Sequence, residues 1–361
     1  MNFEQLNDLA VWRRMPTLDL DRIAAVRLMN RVDTKYLVDE RRCMELLEMA
    51  ADQYYVQIID DCRACRYATL YYDTPQWDMY HLHHNRRLTR QKIRTRTYVE
   101  TGVTYLEVKN KSNKGRTHKR RMALDRSLFA AAATDTAAAD FLRREARYAP
   151  ETLSPSLATR FVRVTLVNHA MTERLTIDFD LHFDNVRAAG GGNKDMNSRG
   201  DMDMNGRGNM DTNGCGDTDM NGCGNMDINS CGDMDMNGCG DNGMTGMDNG
   251  FRPAAEASHG HTASLGRLVV IELKQDALAP SPMKQLLAQL RVKPFKLSKY
   301  CIGEALTNPL VKHNRFKAKI RAIGKMAAHD SNINDMLWYN RIFPTSIPRL
   351  PRSSDTTSPT S

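Results

Sequence analysis

The most informative feature of this 361-residue chain is a set of segments in which charged residues alternate with apolar or small ones. In 90–98 (RQKIRTRTY), every second residue from Arg90 to Arg96 is a cation. Side chains at positions i and i+2 of a β-strand point to the same face, so this spacing predicts four cations on one side of a sheet. The same alternation of charged and apolar residues recurs in three further segments: 104–111, 175–183 and 268–274.

The charged faces of these segments are mainly basic, with a few acids among them. Ordinary half-solvated strands would account for any one segment, but an exposed sheet normally mixes signs because like charges on neighbouring strands repel. A cluster of Arg and Lys suits a chain of phosphates, since Arg supplies forked donors and Lys a compact charge. A few carboxylates could hold Mg²⁺ or Mn²⁺ together with phosphate oxygens: Glu107, Glu272, Asp178 and Asp180. No aromatic-interleaved basic patch favours nucleic acid as the polyanion.

Composition supports an anionic partner. The chain has a net charge of +8, yet segment 187–264 carries twelve acidic and five basic residues, so the remainder is near +15. No uninterrupted apolar stretch reaches the length of a membrane span, and the first 20 residues lack the apolar region of a secretory signal. The eight cysteines form no disulfide framework, which makes a reducing compartment the simpler expectation.

Segment 187–264 contains an eight-residue tandem repeat whose copies begin at Met210, Thr218, Met226 and Met234. It is rich in Gly, Asn and Asp and poor in aromatic residues, so it can bury too little apolar surface to offset its ordering entropy. We therefore expect a disordered insertion between two strands of one domain, which loop-closure entropy tolerates. After the domain, we expect a basic helical extension over 307–343 and a disordered tail over 344–361.

The elements that position the charges follow from periodicity. Helical spacing of apolar residues predicts helices over 18–30, 39–51, 124–148 and 281–290. Alternation predicts strands over 31–38, 67–72, 90–98, 104–111, 161–167, 175–183 and 268–274. Many strands with a few helices indicate an α+β fold. Polar faces on so many strands fit a closed antiparallel barrel with a polar lumen and an apolar exterior covered by helices.

Seven sequence motifs occur in a characteristic order: RVDTKYLV, YYDTPQWDMYH, RQKIRTRTY, YLEVKNKSNKGRTHKRR, ERLTID, VVIELK and KPFKLSKYCIG. Together they resemble the VTC (polyphosphate polymerase) domain of the triphosphate tunnel metalloenzyme, or CYTH-like, superfamily. The resemblance covers roughly 20–186 and 265–306, so we expect one domain over 18–306, interrupted by the insertion. It implies a closed, antiparallel, eight-stranded β-barrel with helices packed outside.

The resemblance also implies roles for individual residues. Seven basic residues are expected to act on the phosphates during catalysis: Lys35, Arg94, Arg96, Lys109, Arg163, Arg174 and Lys274. Three more lysines are expected to bind substrate: Lys119, Lys296 and Lys299. Glu272 and Glu107 are the expected ligands of Mn²⁺ or Mg²⁺. The sequence departs from the family at Phe161, where some members carry tyrosine, and in the first strand, where a glutamate-rich version is expected.

The implied reaction moves the γ-phosphoryl group of ATP, or of another nucleoside triphosphate, to a growing polyphosphate chain. Such catalysis works by positioning and charge stabilisation, without a protein nucleophile. Two alternatives stay open: a triphosphate or tripolyphosphate hydrolase, and a non-catalytic module that binds polyphosphate or inositol phosphate. We expect a cytoplasmic protein at the inner face of a membrane, with a membrane protein as a candidate partner and no nucleic acid partner.

Overall fold

The computed structural model describes residues 1–24, 31–114, 116–187 and 261–328. The repeat segment and the expected tail over 344–361 lie outside the described residues, as does the extension beyond Ala328. The expectations for those parts therefore stay predictions.

The described chain contains eleven β-strands and eight α-helices. The strands are β1 Thr17–Leu18, β2 Arg31–Asp39, β3 Tyr54–Gln57, β4 Ala64–Asp73, β5 Arg90–Tyr98, β6 Thr104–Lys111, β7 Thr117–Leu124, β8 Ser154–Asn168, β9 Glu173–Asn185, β10 Thr262–Ser264 and β11 Leu268–Asp276. The helices are α1 Phe3–Asn7, α2 Leu20–Ala24, α3 Glu40–Ala50, α4 Asp78–His84, α5 Thr136–Glu145, α6 Pro282–Gln289, α7 Lys299–Thr307 and α8 Lys317–Ala328.

The strands form one sheet whose main path runs β2-β11-β9-β8-β4-β5-β6-β7, with neighbours on this path antiparallel. The prediction of an antiparallel α+β fold is confirmed. The prediction of a closed eight-stranded barrel is wrong, because the sheet has eleven strands and is open, with β2 and β7 at the two ends of its path.

The outer edge of β2 is partly occupied by the segment before α7. The Phe295 amide donates to the Lys35 carbonyl at 2.6 Å, and Tyr36 forms an isolated bridge with Pro294. The segment before α7 thus occupies backbone groups that β7 would need for closure. Closing a barrel requires every strand edge to pair with another strand.

Helices cover the apolar side chains of the sheet. Helices α3 and α6 contribute Leu46 and Leu286 to a cluster that includes Ile177 and Ile271 of the sheet. Helices α7 and α8 pack over a second cluster, and α5 over a third. In α8, Ile320 and Ile323 are fully buried. None of the described helices combines the length and apolar character that crossing a bilayer requires.

The alanine-rich segment gives a shorter helix than the one predicted over 124–148. Helix α5 begins only after Asp135, whose carboxylate accepts a hydrogen bond from the Ala138 amide. Before it, the Phe129 carbonyl accepts hydrogen bonds from the Tyr72 and Thr95 hydroxyls, at 3.0 and 2.7 Å. These contacts hold the backbone against the sheet, so tertiary packing overrides the helix propensity of alanine.

Both flanks of the repeat segment are attached to the sheet. The Asn185 amide donates to the His261 carbonyl at 2.9 Å, and β10 pairs with the end of β9 although we expected it within the insertion. Arg187 donates to the carbonyls of Thr74 and Pro155, at 2.7 and 3.1 Å. The insertion therefore begins and ends at neighbouring, fixed points of the fold.

Candidate functional site

Most of the residues singled out from the sequence share one charged face of the sheet. Strand register places Arg94 opposite Glu107 and Glu272 opposite Lys35. We call this face the groove. Its charged lining is Lys35, Arg94, Arg96, Glu107, Lys109, Lys119, Arg163, Arg174, Asp178, Glu272, Lys274 and Lys299.

The groove is concave. Lys109 on β6 and Glu272 on β11 are separated by four strands in the sheet order. In a flat sheet, that separation would place them about 24 Å apart, at roughly 4.8 Å per strand. Burial and the charge of Lys92 lower the pKa of Lys109. The charges of Glu272 and of Asp33 on β2 nevertheless reach Lys109 and oppose this lowering. The sheet is therefore curled strongly enough to bring its two ends toward each other around the charged face.

Glu107 is the buried acid at the β5–β6–β7 side of the groove, with a side chain only 1% exposed. Arg94 Nε lies 2.6 Å from Oε2, and Lys119 Nζ lies 2.5 Å from Oε1. Burial opposes ionisation, but the charges of Arg94, Arg96 and Lys119 hold the pKa of Glu107 well below its usual range. Both carboxylate oxygens are engaged by cations, so Glu107 positions Arg94 and Lys119.

Asp178 does the same on β9, at the centre of the groove. Arg163 donates through Nε and Nη2 at 2.6 and 3.0 Å, and Lys299 Nζ donates at 2.6 Å. Burial opposes ionisation here too, yet Arg163 and Lys299 hold the pKa of Asp178 well below its usual range. Bidentate contacts of this kind fix a guanidinium in one orientation.

The sequence placed Asp178 with Asp180 among the acids that could hold a metal, but it did not predict the contacts of Asp178 with Arg163 and Lys299. Strict alternation predicts that Asp178 and Asp180 share a face, but Asp180 is exposed and contacts His182 at 2.8 Å. The backbone of Asp180 has φ +49°, and the β8–β9 register shifts between Arg160 and Val162. This irregularity is typical of a β-bulge, which turns one side chain away from its neighbours. It leaves Asp178 as the single acid of the pair in the groove.

Lys299 reaches Asp178 from α7, whose first residue it is. Ser298 caps this helix by accepting from the Cys301 amide. A cation is unfavourable at a helix N-terminus, so the ion pair with Asp178 offsets that cost. Helix α7 can approach the sheet because Gly303 has no side chain. A Cβ at Gly303 would lie 2.4 Å from Leu157 Cδ2 and 2.5 Å from Phe183 Cδ1.

The third acid, Glu272, lies among Lys35, Arg174 and Lys274. Lys35 Nζ is 2.5 Å from Glu272 Oε2. Burial opposes ionisation of Glu272, but Lys274 and Lys35 hold its pKa well below the usual range.

Two lysines of the groove have depressed pKa values. Burial lowers the pKa of Lys274 to about 7. The charges of Arg174 and Arg163 add to this lowering, and the charge of Glu272 opposes it. Burial and the charge of Lys92 lower the pKa of Lys109 to about 8. The groove thus has more positive charge than its acids balance.

An aromatic pair forms part of the groove. The rings of Tyr67 and Phe161 stack with centroids 5.2 Å apart and planes 13° apart. Over the Phe161 ring lie Lys299 Nζ at 3.1 Å, Arg163 at 5.2 Å and Arg96 at 5.8 Å. Cations over a ring face are attracted by its quadrupole. The alternation of Tyr67, Thr69 and Tyr71 in the predicted strand is the sequence signal that could have indicated this surface. Thr69 accepts a hydrogen bond from Arg96 at 3.1 Å, and Tyr71 accepts one from Arg94 at 3.5 Å.

One predicted substrate ligand lies apart from the groove. Lys296 is exposed. Burial lowers the pKa of Lys319 on α8, and the charges of Arg86 and Lys296 lower it further. Lys296 is therefore close to Lys319 and lies on the surface beside α8. The remaining predicted residues, from Lys35 to Lys299, line the groove.

The acids differ in how well they suit a divalent metal. In the described part of the chain, no three His, Cys, Asp or Glu side chains converge. A magnesium-like ion held by one carboxylate and phosphate oxygens needs no such convergence. Glu272 fits that use, because one oxygen contacts Lys35 and the side chain is 20% exposed to the groove. Glu107 fits it poorly, since both oxygens already contact cations.

Comparison with known families identifies the family of the chain. The family model of the VTC domain matches residues 30–308, more than three quarters of the chain. The chain belongs to the VTC domain family. The matched span of this VTC domain includes every residue of the groove.

Solved structures that are similar to this VTC domain have low identity and low TM-scores. A candidate adenylyl cyclase from Hippeastrum, described as having a dominant triphosphatase activity, is 13% identical (TM-score 0.31) over 42% of this chain and 72% of its own. A candidate adenylate cyclase of Vibrio parahaemolyticus is 14% identical (TM-score 0.28) over 42% and 70%. The PH1819 protein of Pyrococcus horikoshii is 10% identical (TM-score 0.34) over 76% and 96%. No curated protein is significantly similar to the chain.

Proposed function

We propose that this VTC domain is a metal-dependent phosphotransferase that moves the γ-phosphoryl group of ATP, or of another nucleoside triphosphate, to a growing polyphosphate chain. The observation that carries the proposal is the charge arrangement of the groove. Three buried or half-buried acids, Glu107, Asp178 and Glu272, hold cations in fixed places. The surplus cations point into a concave surface, where a phosphate chain would neutralise them.

The cations are arranged to bind and orient phosphates before any reaction. Arg94 and Arg163 are fixed by buried carboxylates, so their guanidinium groups need no rearrangement when substrate binds. Preorganised charges in a site with little water act more strongly on a developing negative charge than charges in bulk water do. Lys35 and Lys274, on adjacent strands beside Glu272, would hold the phosphoryl group that is transferred.

The acceptor must approach in line with the leaving group, and the cations of β5 leave room for this. They extend from Arg96 and Arg94 in the groove to Lys92 and Arg90 beyond its edge, a span of about 20 Å at roughly 3.3 Å per residue. A donor and an acceptor phosphate chain can therefore lie end to end over one strand. Holding both reactants in place converts a bimolecular step into an effectively unimolecular one.

A divalent metal, Mn²⁺ or Mg²⁺, would be held by Glu272 together with phosphate oxygens. When bound, it would supply positive charge to the oxygens of the transferred phosphoryl group. Glu107 has a different part in this proposal, which is to hold Arg94 and Lys119 in position. We further propose that the protein is cytoplasmic, that residues 18–306 form the catalytic domain, and that a membrane protein is its partner.

A triphosphate hydrolase is the second candidate, because the same groove would serve water as an acceptor. Incubation of the full chain with ATP and Mn²⁺, with products resolved by gel and phosphorus NMR, distinguishes the two. Long-chain polyphosphate formed together with ADP is the expected result. Release of orthophosphate alone from ATP and tripolyphosphate would overturn the polymerase proposal in favour of the hydrolase. Binding of both without any turnover would instead indicate a non-catalytic phosphate-binding module.

A further inference from the structure

A second group of cations lies next to the groove, at the end of the β5–β6 pair that is farthest from its connecting turn. Arg90 and Lys111 are directly opposite each other on the two strands, and Lys92 is opposite Lys109. Lys319 of α8 belongs to the same group, because its charge lowers the pKa of His83 together with the charges of Arg90, Lys92 and Lys111. We call these four residues the outer cation cluster.

The outer cation cluster differs from the groove in having no acids. Within the groove, Glu107, Asp178 and Glu272 each contact one or two cations. Among the described residues, by contrast, no carboxylate lies within ion-pair distance of the four cluster members. Like charges directly across two strands destabilise a sheet. A bound anion would remove this cost.

The side chains of the cluster are held near one another by the fold. Lys92 Nζ donates to the Ser298 hydroxyl at 2.9 Å, next to the helix that carries Lys299. Arg90 donates to the Arg87 carbonyl at 3.2 Å. All four members of the cluster are half-buried, so their positions are restricted by packing as well as by these bonds.

His83 reports the positive potential of the cluster. Its ring lies at the end of α4, and its buried Nδ1 has no hydrogen-bond partner in the described part of the chain. Burial and then the charges of Lys92, Arg90, Lys319 and Lys111 lower the pKa of His83 to about 2. The ring therefore adds no charge of its own at neutral pH.

The cluster is continuous with the groove. Residues 90, 92, 94 and 96 alternate along one face of β5, so a chain of phosphates bound at Arg94 reaches Arg90 after about 13 Å, at roughly 3.3 Å per residue. We propose that the outer cation cluster is a second phosphate-binding site, which holds the units of a polyphosphate chain that extend beyond the triphosphate bound in the groove. The proposal rests on the proposed function of the groove and adds to it a site for long chains.

The test compares long-chain polyphosphate with tripolyphosphate as ligands of the full-length protein. The variant Lys111→Gln/Lys319→Gln removes two cluster charges and leaves the groove lysines in place. The matched control is Lys284→Gln/Lys325→Gln, which removes two exposed lysines of α6 and α8. Thermal unfolding checks that both variants fold.

We expect the cluster variant to bind long-chain polyphosphate roughly tenfold more weakly. The slope of log affinity against log salt should fall by about two, one for each lysine. Tripolyphosphate affinity should not change in either variant, and the control should match the wild type for both ligands. An equal loss for the two ligands, or no loss for the long chain, would overturn the proposal.

Two further outcomes decide what the cluster binds and whether it depends on turnover. If a single-stranded oligonucleotide binds the wild type as tightly as long-chain polyphosphate and depends on the same lysines, the cluster is a nucleic-acid site and the proposal is wrong. If long-chain binding depends on Lys111 and Lys319 but ATP is not turned over, the second site stands and the proposed phosphotransferase function fails.

Discussion

Lys35 on β2 and Glu272 on β11 face each other across one strand pair, with Nζ and Oε2 2.5 Å apart. In the proposed function, Glu272 has two tasks, because it neutralises Lys35 in the empty groove and would hold the metal once phosphate binds. Removing its charge should therefore lower turnover without weakening tripolyphosphate binding.

Glu272→Gln should lower phosphoryl transfer by about 10²-fold or more, as removal of a single charge-stabilising group at an active site commonly does. Tripolyphosphate affinity without metal should be unchanged or higher, because Lys35 loses its internal partner. Steady-state turnover and calorimetric binding measure the two quantities, with Glu45→Gln on α3, outside the groove, as the control. Loss of binding together with turnover would mean that Glu272 is structural.

The pH dependence of binding follows from Lys109 and Lys274, whose pKa values are lowered from 10.5 to about 8 and about 7. A bound polyanion favours the protonated lysines, so tripolyphosphate affinity should rise as pH falls from 9 toward 7, with proton uptake. Calorimetry in buffers of different ionisation enthalpy detects that uptake. Affinity independent of pH over this range would contradict the prediction, and Lys274→Met should reduce the uptake.

The same two lysines make the stability of the ligand-free domain depend on pH in the opposite sense to ligand binding. Between about pH 7 and 10.5, the unfolded chain binds more protons than the folded one does at these sites, so their contribution to stability rises with pH. Tripolyphosphate should reduce this dependence, because it restores protonation in the folded state. Thermal unfolding across this pH range, with and without the ligand, measures the difference.

Asp178→Asn should separate stability from binding. Asparagine leaves Arg163 and Lys299 without their buried counter-charge, a change that typically costs about 3–5 kcal/mol. The added positive charge should strengthen tripolyphosphate binding, so the ligand should raise the unfolding temperature more in the variant than in the wild type. The control is Asp180→Asn on the same strand, whose exposed side chain hydrogen-bonds with His182 outside the groove. Equal ligand-induced shifts in variant and wild type would contradict this prediction.

Replacing 188–260 by a short Gly/Ser linker should leave a folded domain. Asn185 and His261 are hydrogen-bonded to each other, and Arg187 is tied to the strands beside it, so a short linker spans the gap. A shorter loop costs less closure entropy, about 0.6 kcal/mol for each halving of its length. ATP turnover should match that of the full chain, and the unfolding temperature should be equal or higher. Failure of the shortened protein to fold would show that the segment has a structural role.

The sequence predicted the local elements better than their long-range relations. Strands β5 and β6 match the alternating segments residue for residue, because a period of two is a direct record of a strand with one charged face. The groove residues on those strands were therefore identified without a structure. Closure of the sheet was not predictable in this way, since it depends on the segment at Pro294 and Phe295 meeting β2.

The remaining differences have similar causes. The backbone turn at Asp180, which removes that acid from the groove, gives no signal in the alternation of residues. The short extent of α5 depends on side chains of β4 and β5 that bind the Phe129 carbonyl. Lys296 and Lys299 are neighbours in one motif, but the start of α7 directs only Lys299 to Asp178.

The stacked rings of Tyr67 and Phe161 have a consequence for how the domain tolerates its own charge. An aromatic face attracts a cation through its quadrupole. Arg96 and Lys299 thus lie over one ring, while Arg96 donates to Thr69 and Lys299 donates to Asp178. Phenylalanine in place of tyrosine at position 161 also leaves no hydroxyl to compete with a phosphate for the remaining polar hydrogens of these two residues. The apolar surface of the groove thereby stabilises neighbouring cations without neutralising the charge that would bind phosphate.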